Sequence, residues 1–248
     1  MPRFFVPSEC WTESTLRLPE GEAHHLRDVL RLRPGARVAV FDGAGSECEC
    51  TVPEGRADDG SLCLARISGT LVRDKPLPDV TLLQAVLKGP RMDLFIEKAA
   101  ELGARRIVPV TTARSIVKLT SAQAEERVAR WKRITLSAAK QCGSRWIPDI
   151  TAVRPLGAAL ERGLSAGICM VGALTGEIRP LHDVFESATP ESSASVLIGP
   201  EGDLTADELS QAVSAGFVPV SFGPRVLRAE TAGLFALSVV QYELLRER

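Results

Sequence analysis

"SVLIGPEGDLTADEL", Ser195 to Leu209, reads as an apolar strand, a glycine-containing turn and a helix with an acidic start. Strand, glycine turn and helix N-terminus together form the usual cradle for a phosphate. Glu201, inside the turn, argues against that ligand, because a carboxylate beside a phosphate has to be neutralised. Neither G-x-G-x-x-G nor G-x-x-x-x-G-K-[ST] occurs in the chain, so dinucleotide and triphosphate cradles lose support.

Two more turns of this kind leave β-rich runs nearby: "ALTGE" (Ala173 to Glu177) and "SFGPRVLRAET" (Ser221 to Thr231). If the three strands are neighbours in a parallel sheet, their carboxyl ends form one pocket rich in backbone donors and acceptors. A cofactor with an adenosine part, no phosphate and a cationic centre suits such a pocket, and S-adenosylmethionine has that character. Three ordinary strand-to-helix turns remain the alternative at this point.

The pattern around these turns is α/β. From Val80, strands ("VTLLQAVL", "RRIVPVTT", "AGICMVGAL", "SVLIGP", "FVPVSFG") alternate with helices, which predicts a mostly parallel sheet covered on both faces. The helix in "RMDLFIEKAAELG" places Met92, Phe95, Ile96, Ala99 and Leu102 on one side, with Gly103 at its end. Residues 1–72 instead show short β-rich runs separated by Pro, Gly and Asp, interrupted by one helix with Leu26, Val29 and Leu30 at helical spacing. We therefore expect a small β-barrel-like domain over 1–72, a Pro- and charge-rich linker over 73–79, and an α/β domain over 80–248.

Composition narrows the partners. The 248 residues, 45% hydrophobic, suffice for a substantial core, and no run approaches the ~20 apolar residues of a membrane span. The start "MPRFFVPSECW" lacks a secretory pattern, so a cytoplasmic location without membrane attachment is expected. Six scattered cysteines and three histidines show no metal-ligand spacing, and no metal is expected. Net charge is −1 overall, yet residues 80–154 carry 14 basic against 6 acidic side chains while both flanks are acidic. That block is either a solvated helix surface or a surface for a polyanion.

Four stretches, "LKGPRMDLFIEKAAELGARRIVPVTTARS", "RWKRITLSAAKQCGSRWIPDI", "LIGPEGDLTADEL" and "FGPRVLRAETAGLFAL", resemble the RsmE family, the uridine N3-methyltransferases of small-subunit (16S) ribosomal RNA in the SPOUT superfamily. The likeness covers nearly the whole chain, including "RFFV" and "HHLRDVLRLRPGARVAVFDG". It implies a PUA-like β-barrel domain over 1–72 and a SPOUT domain over 80–248 with a deep trefoil knot that binds S-adenosylmethionine. It further implies a homodimer formed through the C-terminal domains, and 16S rRNA or the small ribosomal subunit as partner. Matched motif by motif, the cofactor lies against Leu174, Ile198, Gly199, Gly202, Phe222, Gly223 and Leu227. Two places depart from the family pattern: Asp203 stands where Gly is usual, and in "AAKQCGSRW" Lys140 stands where Glu is frequent and Cys142 where Ser is common.

Methylation of N3 requires an unpaired uracil, loss of the N3 proton, and donors for negative charge on O2 and O4. Arg228 is the expected stabiliser, since its planar fork keeps its charge and reaches a carbonyl or a phosphate. Glu201 and Glu230 are the expected proton acceptors or partners of that arginine, unranked. Expected RNA contacts are Arg3, Arg27, Arg31 and Arg33 in the first domain, Lys88 and Arg91 around "KGPR", and Gln141 and Arg145 at the end of the basic block. A non-catalytic RNA-binding module leaves the three strand-end turns without a role, and a methyltransferase for another RNA remains an alternative.

Overall fold

The computed structural model describes residues 1–57, 59–74, 78–160, 167–186 and 193–245, which divide into two compact units. The first takes Met1–Pro76 together with Ala139–Ile147, and the second Leu77–Ala138 with Pro148–Arg248. The expected linker 73–79 lies partly outside the described residues. Nothing in the sequence signalled that Ala139–Ile147 belongs with the first unit.

In the first unit, β1 (Arg3–Phe5), β2 (Thr15–Arg17), β3 (Arg37–Phe41), β4 (Ser46–Thr51), β5 (Cys63–Arg66) and β6 (Val72–Arg73) form one mixed sheet. The order is β1-β3-β4-β5-β2, with β6 also on β4. The path ends at β1 and β2, which do not pair with each other, so hydrogen bonding does not close this sheet into a barrel. Period-two alternation on β4 buries Cys48 and Cys50 and leaves Glu47 and Glu49 on the opposite face. The thiols join Phe4, Leu16, Leu26, Val38, Val40 and Leu64 in the core.

The interrupting helix, α1 (Glu20–His24), runs into a π-helical turn closed by Leu30 N–H donating to His25 C=O at 2.9 Å. Only Leu26 of the expected apolar triplet is buried. The wider turn rotates Val29 and Leu30 outward, and Arg31 ends the segment at φ 52°.

The second unit is a parallel α/β layer. Its strands are β7 (Val80–Ala85), β8 (Arg106–Thr111), β9 (Asp149–Ile150), β10 (Arg154–Pro155), β11 (Ile168–Gly172), β12 (Arg179–Pro180), β13 (Ala194–Ile198) and β14 (Val218–Ser221). The order is β10-β8-β7-β13-β11-β14-β12, with β9 also on β8 and every pairing parallel. Helices α2 (Pro90–Glu101), α3 (Ser121–Cys142), α4 (Leu156–Leu160), α5 (Ala206–Ser214) and α6 (Ala229–Leu245) complete it, although the last turn of α3 groups with the first unit.

Strands β7 and β13 are buried along their whole length because both faces are covered. Val80, Leu82 and Val196 enter one core with α2 and α6, while Leu83, Ala85 and Leu197 enter a second with α4 and α5. On α2, Met92, Phe95, Ile96 and Ala99 are buried as expected, but Leu102 has turned out at the helix end and is 39% exposed. Helix α6 can lie this close to the sheet because of Gly233: a Cβ there would stand 2.6 Å from Phe95 Cε2 and 2.8 Å from Gln84 Oε1.

Candidate active site

The three turns singled out in the sequence meet. Strands β13, β11 and β14 are consecutive neighbours in the sheet, so their carboxyl ends present the turns after Ile198, Gly172 and Ser221 side by side. Between them lies a cavity of about 260 Å³. Leu174, Ile198, Gly199, Phe222, Gly223 and Leu227, six of the seven residues assigned to the cofactor, line it. Gly172, Ala173, Asp203, Arg225 and Ala229 line it too, and none of these had been assigned to it. Gly172 is needed for closeness, since a Cβ there would stand 2.6 Å from Phe222 Cε2. Its signal was its place at the end of a strand, directly before "ALTGE".

Gly202 is absent from the lining. Its carbonyl instead accepts from Arg114 Nη1 at 3.0 Å, and the same nitrogen reaches Leu204 C=O at 3.3 Å. Asp203 follows at φ 60°, the left-handed region that favours glycine. Its N–H donates to Pro200 C=O at 2.9 Å, and its Oδ1 accepts from Leu204 N–H at 2.8 Å. An Asp tolerates this conformation better than most residues because its short side chain bonds locally. The cap of α5 is Thr205, whose hydroxyl accepts from Glu208 N–H while Glu208 returns a bond to Thr205 N–H. Glu208 also accepts from Ala113 N–H at 2.7 Å, so the turn is pinned from outside the cavity.

Charge in the wall is mixed. Glu201, Asp203, Arg225 and Arg228 all line the cavity. Arg91, expected on a phosphate, instead joins the two carboxylates assigned to catalysis: its Nη1 donates to Glu201 Oε1 at 3.1 Å, and its Nε lies 3.9 Å from Glu230 Oε1. The first turn of α2, opened by Pro90 at a position where an N–H would make no intrahelical bond, aims it there. Glu230 does not line the cavity and is 8% exposed, and its buried Oε2 has no partner among the described residues. Arg228 is exposed and its side chain has no hydrogen-bond or ion-pair partner among the described residues.

Two expected RNA contacts are engaged by partners within the first unit. Arg3 donates twice to Glu47 Oε2 (2.6 and 2.9 Å) and to the carbonyls of Ala139 and Ser144, with its guanidinium 4.5 Å from the centre of the Phe41 ring. Arg145 donates to both oxygens of Asp74 at 2.9 Å and to Glu47 Oε1 at 3.2 Å, and Asp74 above all holds it firmly protonated. Both guanidiniums already face carboxylates, which leaves fewer donors for a phosphate, although Arg145 Nε is buried without a hydrogen-bond partner among the described residues. Lys140 pairs with Glu22 in the same unit. Gln141, Arg31 and Arg33 are exposed, Arg27 bonds back to Ala23 C=O, and Lys88 is exposed.

The six cysteines are free thiols. Among the described residues no group of three His, Cys, Asp or Glu side chains could hold a metal ion, and no helix is long and apolar enough to cross a membrane.

Comparison with known proteins gives the family. An RNA methyltransferase domain matches residues 73–241, and an RNA methyltransferase PUA domain matches residues 18–56. Ribosomal RNA small subunit methyltransferase E of Bacillus subtilis is 31% identical over 99% of both chains, and that of Mycobacterium tuberculosis 32% identical over 96% of this chain and 90% of its own. Among solved structures, ribosomal RNA small subunit methyltransferase E from Neisseria gonorrhoeae, bound to S-adenosyl methionine, superposes with a TM-score of 0.83 at 30% identity, covering 97% of each chain. A Legionella pneumophila protein in complex with the bound cofactor SAM gives 0.80 at 28% identity, covering 96% of each. Fold and site define an RNA methyltransferase. Within that class the chain belongs to the ribosomal RNA small subunit methyltransferase E (RsmE) family.

Proposed function

We propose that the cavity at the ends of β13, β11 and β14 binds S-adenosylmethionine and that the chain methylates N3 of one uridine in 16S rRNA of the small ribosomal subunit. The observation that carries this is the meeting of three glycine-bearing turns around a cavity whose apolar wall also carries two carboxylates and two arginines. Leu174, Ile198, Phe222 and Leu227 suit an adenosine, and Glu201 and Asp203 suit a cationic centre better than a phosphate. The bound cofactor supplies an electrophilic methyl group on a sulfonium.

The protein's own groups then divide the work. Arg228, at the cavity wall with an open guanidinium, stabilises negative charge on O2 or O4 as N3 becomes nucleophilic. Glu201 is better placed than Glu230 to take the N3 proton, because it lines the cavity. Glu230, buried in the first turn of α6, holds Arg91, and Arg91 holds Glu201.

A trefoil knot and a homodimer belong to the same proposal. Strand β14 is seated between β11 and β12, which an earlier short connection joins, and this is the strand order a threaded C-terminal segment produces. An apolar groove lined by Leu181, Phe185, Phe222, Phe235 and Val239, with Phe235 41% exposed, supports a partner on α6. For the first unit we propose a PUA-like RNA-binding role, with Arg27, Arg31 and Arg33 positioning the backbone beside the exposed Val29 and Leu30. Gln141 is proposed to meet RNA as well.

The test is to map methylated nucleotides in small-subunit rRNA from cells with and without the gene, complemented by wild type or Arg228→Ala. One uridine should lose its N3 methyl group in the deletion and regain it only with wild type. Calorimetry should show S-adenosylmethionine binding and no ATP binding; the reverse result ends the proposal.

A further inference from the structure

We propose that a second concavity, built on α3 in the second unit, is a track for the sugar-phosphate backbone of the single-stranded RNA adjoining the target nucleotide. This rests on the RNA methyltransferase reading above and adds where the strand is gripped. The groove, of about 590 Å³, is lined by Lys88, Lys118, Arg127, Arg130 and Arg133, against the one carboxylate of Glu126.

Periodicity makes this surface. Arg127, Arg130 and Arg133 recur every three residues on α3 and so share a face, while Trp131 is buried at 1% exposure. Asp93 of α2 accepts from Arg130 Nε and Nη2 at 3.0 and 2.7 Å and from Trp131 Nε1 at 3.2 Å. One carboxylate thus anchors the helix, holds Arg130 in place and keeps it firmly protonated.

The other cations are left over. Lys88, Lys118, Arg127 and Arg133 have no carboxylate partner among the described residues, and Glu126 offsets one charge of four. Like charges gathered in a concavity focus a positive potential and raise the local concentration of a polyanion. Ile116, 63% exposed, lines the same groove and gives apolar contact for a sugar or base.

Position favours RNA over an acidic protein. Lys88 stands in the turn between β7 and α2, three residues before Arg91, whose guanidinium bonds Glu201 in the cavity wall. One turn therefore borders both the groove and the cavity. A strand held here by its phosphates delivers an unpaired base to the carboxyl ends of the sheet.

The test uses the full chain and in-vitro transcribed small-subunit rRNA, with binding followed across a salt series. In Lys118→Ala/Arg127→Ala/Arg133→Ala, affinity should fall at least about 30-fold at low salt, and the slope of log K against log salt should flatten by about 0.7 for each single-strand phosphate contact removed. The charge-keeping variant Arg127→Lys/Arg133→Lys should stay within about threefold of wild type, and calorimetry should show unchanged S-adenosylmethionine binding by both, which separates lost contact from lost fold. An unchanged salt slope in the alanine variant overturns the track, as does a lysine variant as weak as the alanine one. A defect seen with assembled subunits and not with naked rRNA overturns it in favour of a protein partner. Failure of the rRNA reading looks different: the wild type would transfer no methyl group to the transcript, while the salt slopes would still judge the groove.

Discussion

In the first unit Arg3 and Arg145 converge on Glu47, whereas Arg127 and Arg133 in the groove of the second have no carboxylate partner among the described residues. In sequence all four were simply basic residues near turns or on a helix. Pairing separates them: a guanidinium whose donors are filled by carboxylates and carbonyls holds the fold, and one with open donors is available to a ligand. Truncation should therefore cost stability in the first set and function in the second.

Arg228 gives the largest effect. Arg228→Ala should lower kcat/KM for methyl transfer by about 10²–10³-fold with an unchanged melting temperature, the scale of losing one group that stabilises transition-state charge. Kinetics and thermal unfolding of one preparation check both halves. If Arg228→Ala also melts early, the open guanidinium is structural and the contrast breaks.

Arg3→Ala should come next and behave oppositely. It leaves Glu47 with Arg145 as its remaining cation and frees two carbonyls, costing about 2–3 kcal/mol in a urea titration. The salt slope of RNA binding should not move, and a changed slope would return Arg3 to the RNA-contacting set.

Gly233→Ala tests packing without any charge. The added methyl meets the Phe95 ring and Gln84, so unfolding should show a loss of about 1–3 kcal/mol, with tight S-adenosylmethionine binding retained by the molecules that stay folded. A neutral result would mean that α6 sits further from the sheet than described.

The smallest effect belongs to Arg31→Ala/Arg33→Ala. Stability should stay within about 0.5 kcal/mol, and RNA affinity should fall uniformly across sequences, a loss that a salt titration detects. Affinity lost for one sequence only would mean that these arginines read bases.

Much of the site was legible because strand and helix periods differ and because three glycine-bearing turns stood at strand ends. The meeting of the three turns follows from that alone once the strands are neighbours, whereas Ile198, Gly199, Phe222 and Leu227 came from the family resemblance. What escaped depends on partners distant in sequence. Arg91 reads as a phosphate ligand until its 110-residue separation from Glu201 is closed in space. Arg114 in "TTARS" has no local pattern to mark it as the clamp on Gly202 C=O. Asp203, which departs from the family's usual glycine, is explained: it holds the left-handed turn with its own carboxylate on Leu204 N–H and leaves capping to Thr205. The outward turn of Val29 and Leu30 escaped because one π-helical turn shifts helical register, and spacing alone does not reveal that.

The most direct test is to incubate the purified protein with methyl-labelled S-adenosylmethionine and small subunits from a strain lacking the modification, then digest the rRNA and identify the labelled nucleoside by mass spectrometry. The account predicts label in 3-methyluridine at a single position, abolished by Arg228→Ala; label in another nucleoside, or none with the wild type, would contradict it.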